Sequence, residues 1–475
     1  MADLPEGALM QRAAFGLAVH IARVLQEHVG RVSGSRVVAL VGPGNNGGDA
    51  LFACAELARR GASVAAIAVA ESVHTDGVAA LHRAGGRVFA MADAAVLLRG
   101  ADVVVDGIIG IGGRGAVRPP ARDLLGLLGE CPVVAVDVPS GIDADTGAVA
   151  IASIAADLTV TFGCYKPGLL LAPGRERCGE VTVVDIGLTK ALDGVSSFVF
   201  EREDVVRWVP LPGLGEYKYS RGVACLRVGS VQYPGAGLLS VGAARAADIG
   251  MVVVIPPAPD DVHAVYPDVV VAESSARVTA ICVGPGIGRG DDAAAAVASV
   301  MHADVPIILD ADALHVVSID ALRERGARGG VTVLTPHEGE FRALGFDGGV
   351  DRRAAACAAA GDLRSVVVLK GPGTVVASPT GESYLDARTT PALGTAGSGD
   401  VLAGLLTGLL AGAHSRGEVP DVSAAAECAA AAVWLHSAAG RGAQALGAVH
   451  APDLVAALGG VIHAVRITGG VIVDA

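Results

Sequence analysis

The sequence predicts an α/β protein made of two three-layer α/β/α domains. Short apolar strands alternate with helical stretches along nearly the whole chain, the pattern of a parallel sheet covered on both faces. The alternation runs twice, on either side of a break containing Trp208, Pro210, Pro212 and Gly213. Each series also carries a glycine-rich loop followed by aspartate where an apolar helix begins: Gly42-Pro43-Gly44-Asn45-Asn46-Gly47-Gly48-Asp49 and Gly394-Thr395-Ala396-Gly397-Ser398-Gly399-Asp400. A helix start presents free N–H groups and the positive end of the helix dipole, so both loops suit a phosphate.

In chain order, residues 8–28 read as an amphipathic helix. Strands are expected at Arg36–Val41, Ser63–Val69, Asp102–Val105, Pro132–Val136, Leu158–Phe162 and Val181–Val184. Helices are expected at Ala50–Arg60, Gly77–Ala84 and Ala121–Leu128. The break closes a first domain, 1–210, and opens a second, 211–475. Strands then recur at Gly222–Val228, Met251–Ile255, Thr279–Val283, Pro306–Leu309, Val331–Leu334 and Val366–Leu369. A hairpin from Thr374 to Leu385 turns at Pro379-Thr380-Gly381, and Ala- and Leu-rich helices from Asp400 to about Leu458 close the chain.

At 475 residues the chain accommodates more than one sizeable core. A net charge of −13 argues against general affinity for nucleic acid or anionic membrane. Aromatic residues at 3% leave few platforms for stacking bases. The 8 cysteines are scattered without a CxxC and read as small buried hydrophobes in a reducing compartment, so a cytoplasmic location is expected. The apolar run Val401–Ala413 is too short to span a bilayer, and Asp3 and Glu6 argue against a signal peptide.

Open α/β sheets bind ligands beyond the carboxyl ends of their strands. In the first domain those ends run into Asn45–Asp49, into Asp106 and the glycine-rich segment up to Gly115, into Asp137-Val138-Pro139-Ser140, and into Thr161-Phe162 with Lys166 nearby. Oxygens of Asn, Asp and Ser converging there would make a hard-cation site beside an anion loop. The loop also matches GxGxxG at Gly42, Gly44 and Gly47, with Glu71 only a loose partner for a dehydrogenase, and Asp49 could equally cap the helix. Asp143 and Asp145 read as capping the turn around Gly147. In the second domain the N–H groups before Asp400 form a hole for a transferring phosphoryl group, and Asp400 can accept the proton of an attacking hydroxyl. Lys370 and Thr374 lie where nucleotide phosphates could be met, Asp310, Glu338 and Glu340 could lie near Mg²⁺, and His337 is either a substrate contact or a capping histidine.

Residues 8 to 190, with Asn-Asn-Gly-Gly-Asp, the Asp106 loop and Asp-Val-Pro-Ser-Gly in order, resemble the NAD(P)H-hydrate epimerase family. The resemblance implies a Rossmann-like domain in which Asn45, Asn46, Gly47, Gly48, Asp49, Gly110, Ile111, Gly112, Gly113, Arg114, Gly115, Ala116 and Asp137 hold the damaged dinucleotide. It implies that Asn46, Asp106 and Ser140 bind K⁺ and that Asp137 is catalytic. Ala50 and Ile111 depart from the commoner Gly and Thr. Residues 215 to 460 carry Lys218-Tyr219-Ser220-Arg221-Gly222, Tyr233-Pro234-Gly235-Ala236, Gly284-Pro285-Gly286-Ile287-Gly288, Thr335-Pro336-His337 and Gly397-Ser398-Gly399-Asp400. They resemble the ribokinase-like ADP/ATP-dependent NAD(P)H-hydrate dehydratases, with Glu338 where proline is commoner. That resemblance implies that Ala236, Gly286, His337 and the catalytic Asp400 bind the hydrate. It implies that Lys370, Gly371, Pro372, Gly373, Thr374 and Gly399 bind ADP or ATP, used with Mg²⁺.

Together the two resemblances imply a repair enzyme for NADHX and NADPHX, with an isomerase half and a lyase half. Phosphorylating the ring hydroxyl makes it a good leaving group. A chiral kinase-like site takes one epimer, and an epimerase supplies it from the other. A homo-oligomer is expected, with no nucleic-acid or membrane partner. Two other readings stay open at the level of the residues: a ribokinase-like kinase of a vitamin precursor with a regulatory dinucleotide-binding module, and an N-terminal half that only binds or scaffolds.

Overall fold

The computed structural model describes residues 7–113, 115–188, 194–209, 211–255, 259–272, 277–419 and 421–467. They fall into two compact units, Met1–Val195 and Ser196–Ala475.

The first unit holds strands β1 (Arg36–Val41), β2 (Ser63–Ala68), β3 (Arg87–Phe89), β4 (Val103–Gly107), β5 (Val133–Val136), β6 (Leu158–Phe162) and β7 (Glu180–Val184). They form one sheet in the order β3-β2-β1-β4-β5-β6-β7, parallel throughout. Side chains alternate across a strand. From β1, Val37, Ala39 and Val41 therefore enter one core with Leu17, Ile21 and Leu25 of helix Ala8–Val29 and Leu51 and Leu57 of helix Asn45–Arg59. Val38 and Leu40 enter the other, with Leu98 and Leu124. The order in which strands are added reverses between β1 and β4, which makes their carboxyl ends the switch point of the sheet.

The second unit holds β8 (Ser197–Val199), β9 (Val223–Arg227), β10 (Met251–Val254), β11 (Val270–Val271), β12 (Ala280–Val283), β13 (Ile307–Leu309), β14 (Thr332–Leu334), β15 (Val366–Leu369), β16 (Val375–Ala377) and β17 (Ser383–Leu385). Their order is β11-β10-β9-β12-β13-β14-β15-β16-β17-β8. The β16–β17 hairpin is antiparallel, as its turn sequence predicts. Reversal between β9 and β12 makes a second switch point, where Gly229 N–H donates to Pro285 O at 2.7 Å. Helices Ser398–Ser415 and Val422–Leu446 bury most of their length in the core of this unit. The second of them is long and apolar enough to cross a bilayer by composition, but 78% of its apolar window is inside the fold. Helix Ala8–Val29 passes the same test, and its buried stripe packs on the first sheet.

Two expectations need correcting. The units divide between Val195 and Ser196, upstream of residue 210. The reason is physical: β8 pairs with β17, and Val205, Trp208 and Val209 are buried in the second core, with Trp208 only 1% exposed. The aromatic residue that marks the break is thus an anchor rather than part of a linker. The first glycine-rich loop is also more helical than expected. The helix starts at Asn45 instead of Ala50, so Asp49 lies inside it and is not its cap.

Candidate active sites

In the first unit, β1 ends at Val41 and the chain turns at Gly42, whose N–H donates to Gly107 O at 3.0 Å. Only glycine fits there, because a Cβ would lie 1.8 Å from Ile108 O. The turn sets Asn45–Asp49 as the opening residues of its helix, with Asn46 half-buried and Gly47 to Asp49 buried. Asp106 is fully buried at the end of β4. It accepts from Ser140 N–H at 2.8 Å, Ser140 Oγ at 2.7 Å and Ile108 N–H at 3.3 Å. Burial raises its pKa to about 6, with the Ser140 and Ile108 hydrogen bonds pulling the other way.

Asp137 follows β5 with a φ of 65°. Its Oδ1 accepts from Thr161 Oγ1 at 2.9 Å and from Lys166 Nζ at 2.5 Å. Lys166 also donates to Thr161 Oγ1 at 2.8 Å and to Phe162 O at 2.9 Å. Gly110 joins these elements: a Cβ there would be 2.6 Å from Asn46 Oδ1 and 3.4 Å from Asp137 Oδ2. Asn46 Nδ2 and Asp49 Oδ1 are buried without a hydrogen-bond partner, which in a native fold calls for an explanation such as a ligand. Burial, and then the Asp137 carboxylate, push Asp49 up to about 7.

The ends of β1, β4, β5 and β6 thus bring Asn46, Asp49, Asp106, Asp137 and Ser140 to one place at the switch point. Asn45, Ile111, Gly112, Gly115 and Ala116 lie on the exposed rim, with Gly113 half-buried beside them, and Arg114 lies outside the described residues. Asp143 caps its turn by accepting from Asp145 and Thr146 N–H. The sequence reading placed Lys166 near the cluster but gave it no role. A lysine shortly after a strand that ends in threonine was the available signal.

In the second unit, Lys370 follows β15 and points inward. Its Nζ is 2.7 Å from Asp310 Oδ1 and 3.7 Å from Glu340 Oε2. A Cβ on Gly399 would be 3.2 Å from the same nitrogen, so Lys370 reaches the glycine loop before Asp400. Burial lowers the Lys370 pKa, but Asp310, Glu340 and Asp400 outweigh it, and the net direction is upward. Asp400 sits in the first turn of helix Ser398–Ser415, after Gly397 as N-cap. Burial, then Asp310, push it up to about 7 against the pull of Lys370. Asp310 is 1% exposed and accepts from Thr335 Oγ1 at 2.7 Å, while its Oδ2 has no partner.

His337 caps helix Glu338–Ala343: its Nδ1 accepts from Gly339 and Glu340 N–H, and Glu340 Oε2 accepts from His337 N–H at 2.8 Å. The ring is exposed and so remains able to touch a ligand. Gly286 faces Ala236, whose Cβ would be 2.9 Å from a Cβ on the glycine. The loops after β9 and β12 therefore meet as a pair. Thr374 Oγ1 donates to Gly371 O at 3.3 Å and closes the Lys370–Thr374 loop on itself, with Pro372 exposed and Gly373 buried. Sequence reasoning missed His436, whose buried Nε2 lies 3.2 Å from Ser398 Oγ in the glycine loop. Burial lowers its pKa to about 4, so it is neutral. Nothing near His436 in the sequence marked it, because its partner lies across the fold.

These sites define a two-unit α/β enzyme class: a polar site at a dinucleotide-type switch point, joined in one chain to a kinase-like anion loop with a raised-pKa carboxylate. A family model described as YjeF-related protein N-terminus matches residues 6–168, and one described as NAD(P)H-hydrate dehydratase matches residues 224–458. The chain belongs to the bifunctional NAD(P)H-hydrate repair enzymes. It is 44% identical to the bifunctional NAD(P)H-hydrate repair enzyme Nnr of Mycobacterium tuberculosis over 88% of this chain and 87% of that protein. It is 35% identical to that of Salinibacter ruber over 94% and 89%. Among solved structures, the ADP/ATP-dependent NAD(P)H-hydrate dehydratase from Bacillus subtilis co-crystallised with ATP/Mg²⁺ aligns at 27% identity and a TM-score of 0.49, covering 56% of this chain and 98% of that one.

Proposed function

We propose that the chain interconverts the R and S epimers of NADHX and NADPHX in its first unit and dehydrates the S epimer to NADH or NADPH in its second. The observation that carries this reading is a carboxylate and a lysine brought to each site: Asp137 paired with Lys166 beyond β5 and β6, and Asp400 in the helix turn that follows Gly399, the glycine that Lys370 reaches from the end of β15. In the second unit Asp400 takes the proton of the ring hydroxyl as its oxygen attacks the terminal phosphorus of ADP or ATP, and the nucleotide departs shortened by one phosphate. The N–H groups around Gly399 and the ammonium of Lys370 stabilise the transferring group. Phosphate then leaves with the electrons of the C–O bond, and loss of a proton from the neighbouring carbon restores the ring double bond. Ala236, Gly286 and His337 position the hydrate; Lys370, Gly371, Pro372, Gly373, Thr374 and Gly399 face the nucleotide. The unpartnered Oδ2 of Asp310 and the Glu340 carboxylate suit Mg²⁺, which would neutralise phosphate charge. ADP is the donor expected for this bacterial-type fusion.

In the first unit Asp137 moves the proton as the hydroxyl-bearing carbon loses and regains its configuration. Lys166 holds that carboxylate in place and balances its charge. Residues 45–49 and 110–116 embrace the dinucleotide, with the orphaned Asn46 Nδ2 and Asp49 Oδ1 as ready contacts. The oxygens of Asn46, Asp106 and Ser140 are hard donors that suit K⁺, which would supply a fixed positive charge beside the substrate. The free cysteines and the acidic chain support a cytoplasmic residence, and light scattering at a multiple of the chain mass would test a homo-oligomer.

The test incubates the protein with mixed hydrate epimers and ADP or ATP and follows the absorbance of reduced nicotinamide. Complete conversion of both epimers supports the reading. A phosphorylated product that accumulates without reduced nicotinamide would make the second unit a kinase instead.

A further inference from the structure

We propose that Arg352, steered by Glu338, is a positioning residue that orients the Lys370–Gly371 peptide for the nucleotide; this deepens, and rests on, the dehydratase reading of the second unit. Arg352 opens helix Arg352–Leu363, and its side chain is largely buried. Its guanidinium spans two segments: Nη1 lies 2.5 Å from Glu338 Oε2, and Nη2 donates to Lys370 O at 3.2 Å. Glu338 is the first residue of the helix capped by His337, and Arg342 Nη2 lies 3.4 Å from its other oxygen. Lys370 N–H donates to Pro336 O at 2.8 Å, so both peptide groups of Lys370 are tied down. The tie matters because the next residue is Gly371, at a φ of 156°. Glycine lets a peptide plane turn at little cost, and a trans peptide points its N–H opposite its carbonyl. Holding the Lys370 carbonyl on Arg352 therefore fixes where the Gly371 N–H points. It also keeps that carbonyl oxygen from turning toward a phosphate and repelling it. Two acceptors in two directions suit the planar fork of arginine and not a lysine.

The test titrates Mg²⁺–ADP into the full chain by calorimetry and measures KM for nucleotide and hydrate separately. Arg352→Gln should weaken nucleotide binding about tenfold, the scale of a lost charge-assisted hydrogen bond, with the hydrate KM and melting temperature close to wild type. Glu338→Pro removes the steering carboxylate at a position that proline tolerates, the first of a helix, and should weaken binding by about threefold, a fraction of that loss. The double variant should bind no more weakly than Arg352→Gln alone, because Glu338 acts through Arg352. Wild-type nucleotide affinity in Arg352→Gln, or losses that simply add in the double variant, would overturn the proposal. Should Arg352→Gln fail to fold, Arg352→Lys and Glu338→Pro decide: unchanged nucleotide affinity in both overturns it. Calorimetry reads binding without turnover. A chain that binds nucleotide with this pattern but makes no reduced nicotinamide overturns the dehydratase reading and keeps the positioning role. A wild-type chain that takes up no nucleotide overturns both.

Discussion

To serve as the proposed base, Asp400 must be ionised, yet burial and the neighbouring Asp310 hold its pKa at about 7. A carboxylate raised in this way is protonated at acid pH and becomes a base only as the pH climbs through that value. Dehydration should therefore rise between about pH 6 and pH 8, where an ordinary carboxylate would give a flat profile because it ionises near pH 4. A kcat/KM profile for the S epimer checks this, and a flat line across that window would contradict it. Lys370 pulls the same group down, so replacing it with Met should move the rising limb to higher pH. In the first unit, Lys166 and Asp137 are exposed by only 14% and 11%. Lys166→Met strands a buried carboxylate, which typically destabilises by about 3–5 kcal/mol. It should also slow epimerisation by roughly 10²-fold or more, and Lys166→Arg should recover part of the rate. An unchanged epimerisation rate for Lys166→Met, measured on a purified epimer, would remove Lys166 from the mechanism.

At the level of elements, strand positions were legible because a buried parallel strand is a short run dominated by aliphatic and β-branched residues. β1, β6 and β15 fall where the sequence places them. The strands it did not reveal, β3, β8 and β11, are only two or three residues long. β13 and β14 are equally short but central; β3, β8 and β11 all lie at a sheet edge, where a single neighbour defines the strand, β17 in the case of β8. The glycine-rich loops were legible as loops, but their geometry was not. Gly47 and Gly48 lower helix propensity, yet helix Asn45–Arg59 includes them, and close neighbours require the glycine: a Cβ on Gly47 would be 2.3 Å from Gly42 O. The lysine pairings with Asp137 and Asp310 were likewise invisible, since both join residues from separate strand ends. Packing at the Gly42 turn yields a prediction. Gly42→Ala puts a methyl group onto the Ile108 carbonyl. It should destabilise the first unit by about 1–3 kcal/mol and impair epimerisation, with dehydration of the S epimer unaffected. Wild-type melting of the first unit would contradict the close approach.

Across the whole molecule, each unit has its own sheet and its own core. Cutting between Val195 and Ser196 should give two folded pieces, whereas a cut at residue 210 would take Trp208 from the core of the second. Circular dichroism and cooperative melting of the four fragments check this, and equal stability of the second piece from both cuts would contradict the anchoring role of Trp208. The central claim is that one chain carries two separable chemistries. The most direct measurement follows each purified hydrate epimer with Asp137→Asn and Asp400→Asn variants that melt like wild type. The account predicts that Asp137→Asn still dehydrates the S epimer at the wild-type rate but leaves the R epimer almost untouched beyond spontaneous inversion. It predicts that Asp400→Asn interconverts the epimers normally and loses dehydration by roughly 10²–10⁴-fold. Loss of both activities in either variant, or wild-type epimerisation in Asp137→Asn, would contradict it.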